Sequence, residues 1–234
     1  MLWEIIGEFA VFVILVACGY AGIKAYVRYR QPNYSALLLK RRLAVLAFLM
    51  LLVVGAKVFE DVLANESGVV DRSILLFVHR HVPDYLRLFF DAVTVAGSAI
   101  VVVPIALGTA TILAILKRRL EALLVIASLG TASLLVYLIK TATGRVRPDL
   151  WETQWYWGSS FPSGHTLHTA AVATALALSA ARLLPQSAKW AMALALIWTC
   201  LVALSRLVLG VHWPSDVLAA ICLGVFTALS ISMA

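Results

Sequence analysis

The sequence is short of charge, of patterned cysteines and of the features of a cleaved leader. Charged residues make up 13% of the 234 residues, and all three cysteines lie inside apolar runs. No cysteine spacing is typical of a zinc site or a disulfide framework, so we expect these residues to be small apolar packing groups. The N-terminus begins Met-Leu-Trp-Glu, with neither a basic segment nor a small-residue cleavage motif. We therefore expect a retained helix there rather than a cleaved signal peptide.

Apolar residues are in excess instead. They make up 62% of the chain, and the mean hydropathy is +0.95, whereas a soluble domain is about half apolar. Several apolar runs reach the roughly 20 residues that cross a bilayer as a helix. The composition predicts one integral membrane domain. The net charge of +7 then reflects basic cytoplasmic loops, and we expect no nucleic acid partner.

Seven apolar runs predict an all-α, polytopic helical bundle. The mixed segment at residues 65–88 has amphipathic character, which is typical of a short helix lying along the membrane surface. No internal repeat or low-complexity linker interrupts the pattern. The runs cover residues 5–27, 43–64, 89–116, 121–140, 165–183, 189–209 and 214–232.

Lysine and arginine are distributed unevenly between alternate loops. Eleven of the 19 fall in three such loops, which predicts that these loops are cytoplasmic, with the N-terminus outside and the C-terminus inside. The eleven are Lys24, Arg28, Arg30, Lys40, Arg41, Arg42, Lys117, Arg118, Arg119, Arg182 and Lys189.

Polar residues concentrate in three ordered clusters, at residues 140–148, 161–166 and 205–216. The predicted topology places all three at the external face of the membrane. Because clusters far apart in sequence then meet at one depth, we expect them to form a single site facing the exterior or periplasm.

Three cations of these clusters suit phosphate chemistry: Lys140, Arg147 and Arg206. Fixed cations stabilise the charge on the oxygens of a phosphoryl group in transfer. Ser163 can cap the helix that follows, Gly164 permits close approach of a ligand, and a helix N-terminus binds anions. The alternative for each residue alone is structural, a simple helix cap or a cation that snorkels to the interface.

Two histidines and an aspartate complete the candidate site. His212 is the candidate nucleophile, because an imidazole nitrogen can accept a phosphoryl group. Asp216, four residues on near a helix start, could orient the other ring nitrogen. His165 would protonate the leaving oxygen. A lone histidine is usually structural, but these residues together with three cations indicate a site.

Other residues near the clusters have less definite roles. His168 lies one turn after His165 and is a candidate for substrate contact, and the role of Arg145 is left open. The aromatic group of Trp155, Tyr156 and Trp157 is typical of an interfacial belt, and could instead grip a lipid chain.

These motifs resemble the three-part signature of the type-2 phosphatidate phosphatase family, shared with vanadium-dependent haloperoxidases and bacterial acid phosphatases. The matching segments are Lys140-x6-Arg147-Pro148, Pro162-Ser163-Gly164-His165 and Ser205-Arg206-x5-His212-x3-Asp216, complete and in order.

The resemblance implies His212 as nucleophile, Asp216 as its partner and His165 as general acid. It implies phosphate binding by Lys140, Arg147, Ser163, Gly164 and Arg206, and catalysis without a metal or other cofactor. It covers about residues 42–232, which implies a six-helix phosphatase core at residues 42–234. Residues 1–41 would add one transmembrane helix and a basic cytoplasmic loop.

The resulting hypothesis is an inner (plasma) membrane lipid phosphatase with a phosphohistidine intermediate. Candidate substrates are undecaprenyl diphosphate, which we favour, phosphatidylglycerol phosphate, phosphatidic acid and lipid A phosphates. One alternative is a lipid phosphotransferase that uses the same phosphohistidine. Another is a non-catalytic lipid-binding or transport protein, against which the intact His212, Asp216 and His165 argue. A haloperoxidase is disfavoured because those relatives are soluble.

Overall fold

The computed structural model describes residues 2–151 and 158–233, with side chains from residue 7 onward. Across these residues the chain forms ten α-helices and no β-strand. The helices are α1 (Leu2–Arg30), α2 (Ser35–Lys40), α3 (Arg42–Leu63), α4 (Gly68–His81), α5 (Arg87–Ala96), α6 (Ala99–Ile115), α7 (Arg119–Thr143), α8 (Gly164–Leu183), α9 (Ala188–Val208) and α10 (Pro214–Met233).

The chain divides into two compact units, Met1–Phe59 and Glu60–Ala234. The first contains α1, α2 and most of α3. The second contains α4 to α10 and all three polar clusters. The assignment of residues 1–41 to an accessory segment and 42–234 to the core stays a prediction.

Most of the apolar runs form helices with the length and composition of a membrane span. Within the described part of the chain there are five such segments, and a bent pair could form a sixth, whereas the run at 165–183, which forms α8, is not among them. The five are Gly7–Arg30, Arg42–Leu63, Arg119–Thr143, Pro185–Val208 and Pro214–Met233. The polytopic all-helical class is confirmed, while the division into six helices plus one stays a prediction.

The apolar run at 89–116 is not one continuous helix, contrary to the sequence-based expectation. It breaks into α5 and α6, which meet at 42°. A side chain at Gly97 would lie 2.4 Å from Val202 Cγ1, so Gly97 allows α9 to approach closely at the break. Ser98 then takes an extended conformation as the N-cap of α6. The break thus lies at a Gly-Ser pair, where α9 packs closely, inside a segment that the sequence predicts as one span.

Helix α8 is the centre of the second unit, packing against α6, α7, α9 and α10. Eleven of its 20 residues are buried, most of them alanine, serine or threonine. Small residues let helix backbones approach closely. A side chain at Gly224 of α10 would lie 2.7 Å from the carbonyl oxygen of Leu167. This close packing holds the start of α8 against the start of α10, where two of the polar clusters lie.

Candidate active site

The three clusters meet at one end of the second unit. Lys140 lies in the last turn of α7, His165 in the first turn of α8, and Arg206 in the last turn of α9. Lys140 interacts electrostatically with Arg147, Asp216 and Arg206. His165 does so with Arg206, His212 and Arg147. The predicted convergence of the clusters is therefore seen in the fold.

His212 lies in the turn between α9 and α10, between an acid and a cation. Its Nδ1 is 3.4 Å from Asp216 Oδ2, and its Nε2 is 3.3 Å from Arg147 Nη1. With the ring proton on Nδ1, the hydrogen bond runs to the carboxylate and the Nε2 lone pair faces the cation. This is the orientation that an imidazole nucleophile needs. The 3.4 Å contact is long, as catalytic hydrogen bonds often are before substrate binds.

Asp216 is fixed by more than its histidine neighbour. Its Oδ2 accepts the backbone N–H of Trp213 at 2.8 Å and the hydroxyl of Ser160. Asp216 is the third residue of α10, and a carboxylate there commonly accepts an N–H that the helix itself leaves unpaired. Its side chain is fully buried. These contacts hold Oδ2 at the start of α10.

Burial lowers the pKa of His212 to about 4. The hydrogen bond and the charge of Asp216 raise the pKa, and the charges of Arg206 and Arg147 lower it. His165 of α8 interacts electrostatically with His212. Because the desolvation effect is the largest, His212 is neutral at neutral pH, as an imidazole nucleophile must be.

Each of the three cations is anchored by the protein. Arg147 Nη1 donates to the carbonyl of Val211 at 2.8 Å, and Lys140 Nζ donates to the carbonyl of Ser159. Arg206 is fully buried, and its Nη1 donates to the hydroxyl of Thr94 on α5. Fixed cations of this kind suit a phosphate oxyanion because they need little reorganisation when it binds.

The start of α8 provides backbone donors beside these cations. Ser163 is the N-cap residue, but its hydroxyl lies 3.0 Å from Thr166 Oγ1 and makes no capping bond to the backbone. A side chain at Gly164 would meet only Val136 Cγ1, at 3.6 Å, an ordinary contact. The protein's own packing therefore does not require glycine there, which leaves ligand approach as a reason for it.

His168 points toward α7. Its Nδ1 lies 2.7 Å from the carbonyl oxygen of Gly164, and its Nε2 lies 3.0 Å from Ser133 Oγ. It lines a cavity beside Lys140, so contact with substrate stays a prediction. Trp155, Tyr156 and Trp157 lie outside the described residues.

Several buried polar residues around the site are missed by the sequence reasoning. Arg145, whose role was left open, bonds to Asp71, Asp216 and Ser215. Asp71 is buried on α4 together with Leu75, one turn later. The sequence did contain one signal for Asp71. This acid falls in register with the apolar residues of an amphipathic helix, on the side that is buried.

The described part of the chain contains no group of three or more histidine, cysteine or acidic side chains that could hold a metal ion. The electropositive character of the site comes from Lys140, Arg147 and Arg206 instead.

Comparison with known proteins adds to this geometry. The profile of the PAP2 superfamily matches residues 121–233. Phosphatidylglycerophosphatase B of Bacillus subtilis is 26% identical over 180 residues, covering 76% of this chain and 87% of that protein. An undecaprenyl-diphosphatase of Sulfolobus acidocaldarius is 43% identical over 65 residues, a local match covering 28% of each chain.

A solved structure shares the fold. The crystal structure of a transmembrane PAP2 type phosphatidylglycerolphosphate phosphatase from Bacillus subtilis superposes with a TM-score of 0.69 at 26% identity. The alignment covers 80% of this chain and 92% of that one. The matched profile spans the three motif clusters, which the fold brings together. The chain is a multi-pass membrane phosphatase whose residues 121–233 match the PAP2 superfamily.

Proposed function

We propose that this protein hydrolyses a lipid phosphate or diphosphate at the external leaflet through a phosphohistidine intermediate, without a metal ion. The observation that carries the proposal is the placement of His212. One ring nitrogen faces the fixed carboxylate of Asp216, and the other faces the guanidinium of Arg147, a cation suited to binding phosphate. Such a ring can attack phosphorus while its developing positive charge is stabilised by Asp216.

The reaction proceeds in two displacements. Lys140, Arg147, Arg206 and the α8 N-terminus bind the phosphoryl oxygens. The Nε2 lone pair of His212 forms a bond to phosphorus while the phosphorus–oxygen bond to the lipid breaks. His165, which the negative charge of the bound phosphate favours in its protonated form, donates that proton to the departing oxygen. Water then attacks phosphorus and gives a proton to His165. The phosphorus–nitrogen bond breaks, releasing phosphate and restoring His212.

An apolar cavity beside the phosphate-binding end supports a lipid substrate. It has a volume of about 590 Å³, within the range of ligand pockets. Lys140 and Ser159 lie among its lining residues, and the rest of the lining is largely apolar. It follows α7 from Thr141 to Leu129, about 18 Å at the helical rise. A chain attached to the bound phosphate could extend into this cavity.

The named relatives suggest the substrates to test. Phosphatidylglycerol phosphate and undecaprenyl diphosphate follow from their names, and undecaprenyl diphosphate or a related lipid phosphate is the one we favour. A phosphotransferase would form the same phosphohistidine but pass the group to a lipid hydroxyl. Measuring free phosphate against phosphorylated acceptor lipid separates the two reactions.

The decisive experiment is phosphate release by purified protein from a panel of lipid phosphates, in excess EDTA. We expect turnover to persist in the chelator, because three cations already provide the charge stabilisation that a metal would supply. A loss of activity restored by Mg²⁺ would refute the metal-free mechanism.

A variant that narrows the cavity tests the lipid assignment in the same assay. Val103→Trp places a bulky ring in the lining, and we expect kcat/KM for long-chain lipid phosphates to fall about tenfold or more. Hydrolysis of a water-soluble aryl phosphate should change little. The matched control is Ile100→Trp, because Ile100 is 83% exposed on the same helix. Equal losses on both substrates would count against the cavity.

The face of the membrane is tested by cysteine labelling. Asp149 and Gln186 are both exposed, in loops predicted to lie on opposite sides. With Cys18, Cys200 and Cys222 replaced, we expect Asp149→Cys to react with a membrane-impermeant thiol reagent added to intact cells. Gln186→Cys should react only after lysis. The reverse pattern would place the site at the cytoplasmic leaflet.

A further inference from the structure

Arg145 links two buried carboxylates from different parts of the chain. Its Nη1 lies 2.5 Å from Asp216 Oδ1, and its Nη2 lies 2.7 Å from Asp71 Oδ2. The Asp216 side chain is fully buried and that of Asp71 is 3% exposed. A buried carboxylate loses its hydration and needs a compensating partner. A single guanidinium provides that partner for both acids.

The terminal nitrogens of Arg145 have no hydrogen to spare for a phosphate. Nη1 donates to Ser215 Oγ as well as to Asp216, and Nη2 donates to Ser67 Oγ as well as to Asp71. Two terminal nitrogens carry four N–H groups, and four acceptors are in place. These hydrogen bonds fix Arg145 to the protein, although it lies only two residues from Arg147 in the same motif.

Asp71 also holds the start of α10. Its Oδ1 accepts the backbone N–H of Ser215 at 2.8 Å, and its Oδ2 accepts the Ser215 hydroxyl at 2.5 Å. The first N–H groups of a helix lack intrahelical acceptors, and here a side chain from α4 supplies one. Asp71 and Asp216 together occupy the N-terminus of α10, whereas the N-terminus of α8 lies beside the cations.

We propose that Arg145 is a positioning residue, which holds Asp216 in the orientation that aims His212 at the phosphate, with Asp71 as its anchor on α4. The inference rests on the proposed function of His212 and Asp216. Oδ1 of Asp216 accepts a hydrogen bond from Arg145. Oδ2 accepts those of His212, Trp213 and Ser160. Without the guanidinium, the carboxylate could rotate and release the imidazole.

The test separates positioning from phosphate binding. For Arg145→Gln we expect kcat to fall about 100-fold, the order of loss caused by a misplacement of about 1 Å. KM and the inhibition constant for inorganic phosphate should change by no more than about twofold, because substrate binding is left intact. Arg147→Gln should instead raise both constants. Arg72→Gln is the matched control, since Arg72 is exposed and adjacent to Asp71 on α4.

Two further variants test the link to α4. Arg145→Lys keeps one charge but not the forked geometry, so it should recover part of kcat relative to Arg145→Gln. Asp71→Asn should lower kcat with little change in KM. The double variant Asp71→Asn/Arg145→Gln should lose less kcat than the product of the two single fold-losses, because the two residues act as a unit.

Failure of the proposed function and failure of the positioning role give different results. If wild-type protein releases no phosphate, the proposed function fails. If wild type is active and Arg145→Gln keeps its kcat, or loses affinity for inorganic phosphate as Arg147→Gln does, the positioning role is overturned. Should Arg145→Gln not fold, as judged by thermal unfolding in detergent, Arg145→Lys and Asp71→Asn carry the test. Unchanged kcat in both would also overturn it.

Discussion

Replacing His212 by alanine should reduce phosphate release by roughly 10⁴-fold or more, the order seen when a hydrolytic triad loses its nucleophile. The ring is the group placed to attack, with Asp216 Oδ2 at 3.4 Å from one nitrogen and Arg147 at 3.3 Å from the other. No neighbouring side chain repeats that arrangement among the residues that the structure describes. Turnover should be measured with a lipid phosphate and an aryl phosphate, and both should be lost.

The intermediate can be tested directly. Brief incubation of wild type with ³²P-labelled substrate should leave a label on the protein that is unstable in acid and stable in alkali, as a phosphohistidine is. His212→Ala should retain no such label while unfolding at the wild-type temperature in detergent. His81→Ala is a matched control, because His81 is exposed on α4 and contacts its own helix at the Phe77 carbonyl oxygen. A labelled, active His212→Ala protein would remove the mechanism.

His165→Ala should lower kcat for lipid phosphates by about 10²- to 10⁴-fold, the usual contribution of a general acid. For an aryl phosphate the loss should be only about tenfold, because a weakly basic leaving oxygen needs less protonation. The motivation is the place of His165 in the first turn of α8, in electrostatic contact with His212, Arg206 and Arg147.

The dependence on leaving group is the critical measurement. A series of aryl phosphates with leaving groups of increasing pKa should show a steeper fall in rate for His165→Ala than for wild type. Equal losses across the series would mean that His165 binds phosphate or supports the fold, and would exclude the acid role. Ser163→Ala is a useful comparison, since removal of that hydroxyl should affect all members alike.

Much of the fold follows from local pattern. An apolar run of about 20 residues has few alternatives to a helix, because the backbone must satisfy its hydrogen bonds internally in lipid. This logic predicts most of the spans. It fails at Gly97, beside Val202 of α9, where a run taken as one span is divided into two helices. Such a break depends on a neighbouring helix distant in sequence, which local pattern does not contain.

The candidate site divides in the same way. His212, Asp216, His165, Lys140, Arg147 and Arg206 were found from residue type and spacing, since each falls in an ordered motif. Residue type and spacing do not reveal the contacts of Arg145 and Asp71. Asp71 stands 144 positions before its partner Ser215, and an acid on an amphipathic helix is ordinarily solvated. Only burial beside an arginine makes it part of the site.

The sequence by itself therefore determined the helical membrane class, the family and the candidate reacting groups, because hydropathy and motif spacing are local properties of the chain. The tertiary structure decided which carboxylates the arginines meet, since that depends on helices separated by many residues. It assigned Arg145 to Asp71 and Asp216 and left the Nη1 of Arg147 facing the His212 ring. These two arginines, two residues apart, have different partners because the fold brings α4 and the start of α10 to Arg145 and the α9–α10 turn to Arg147.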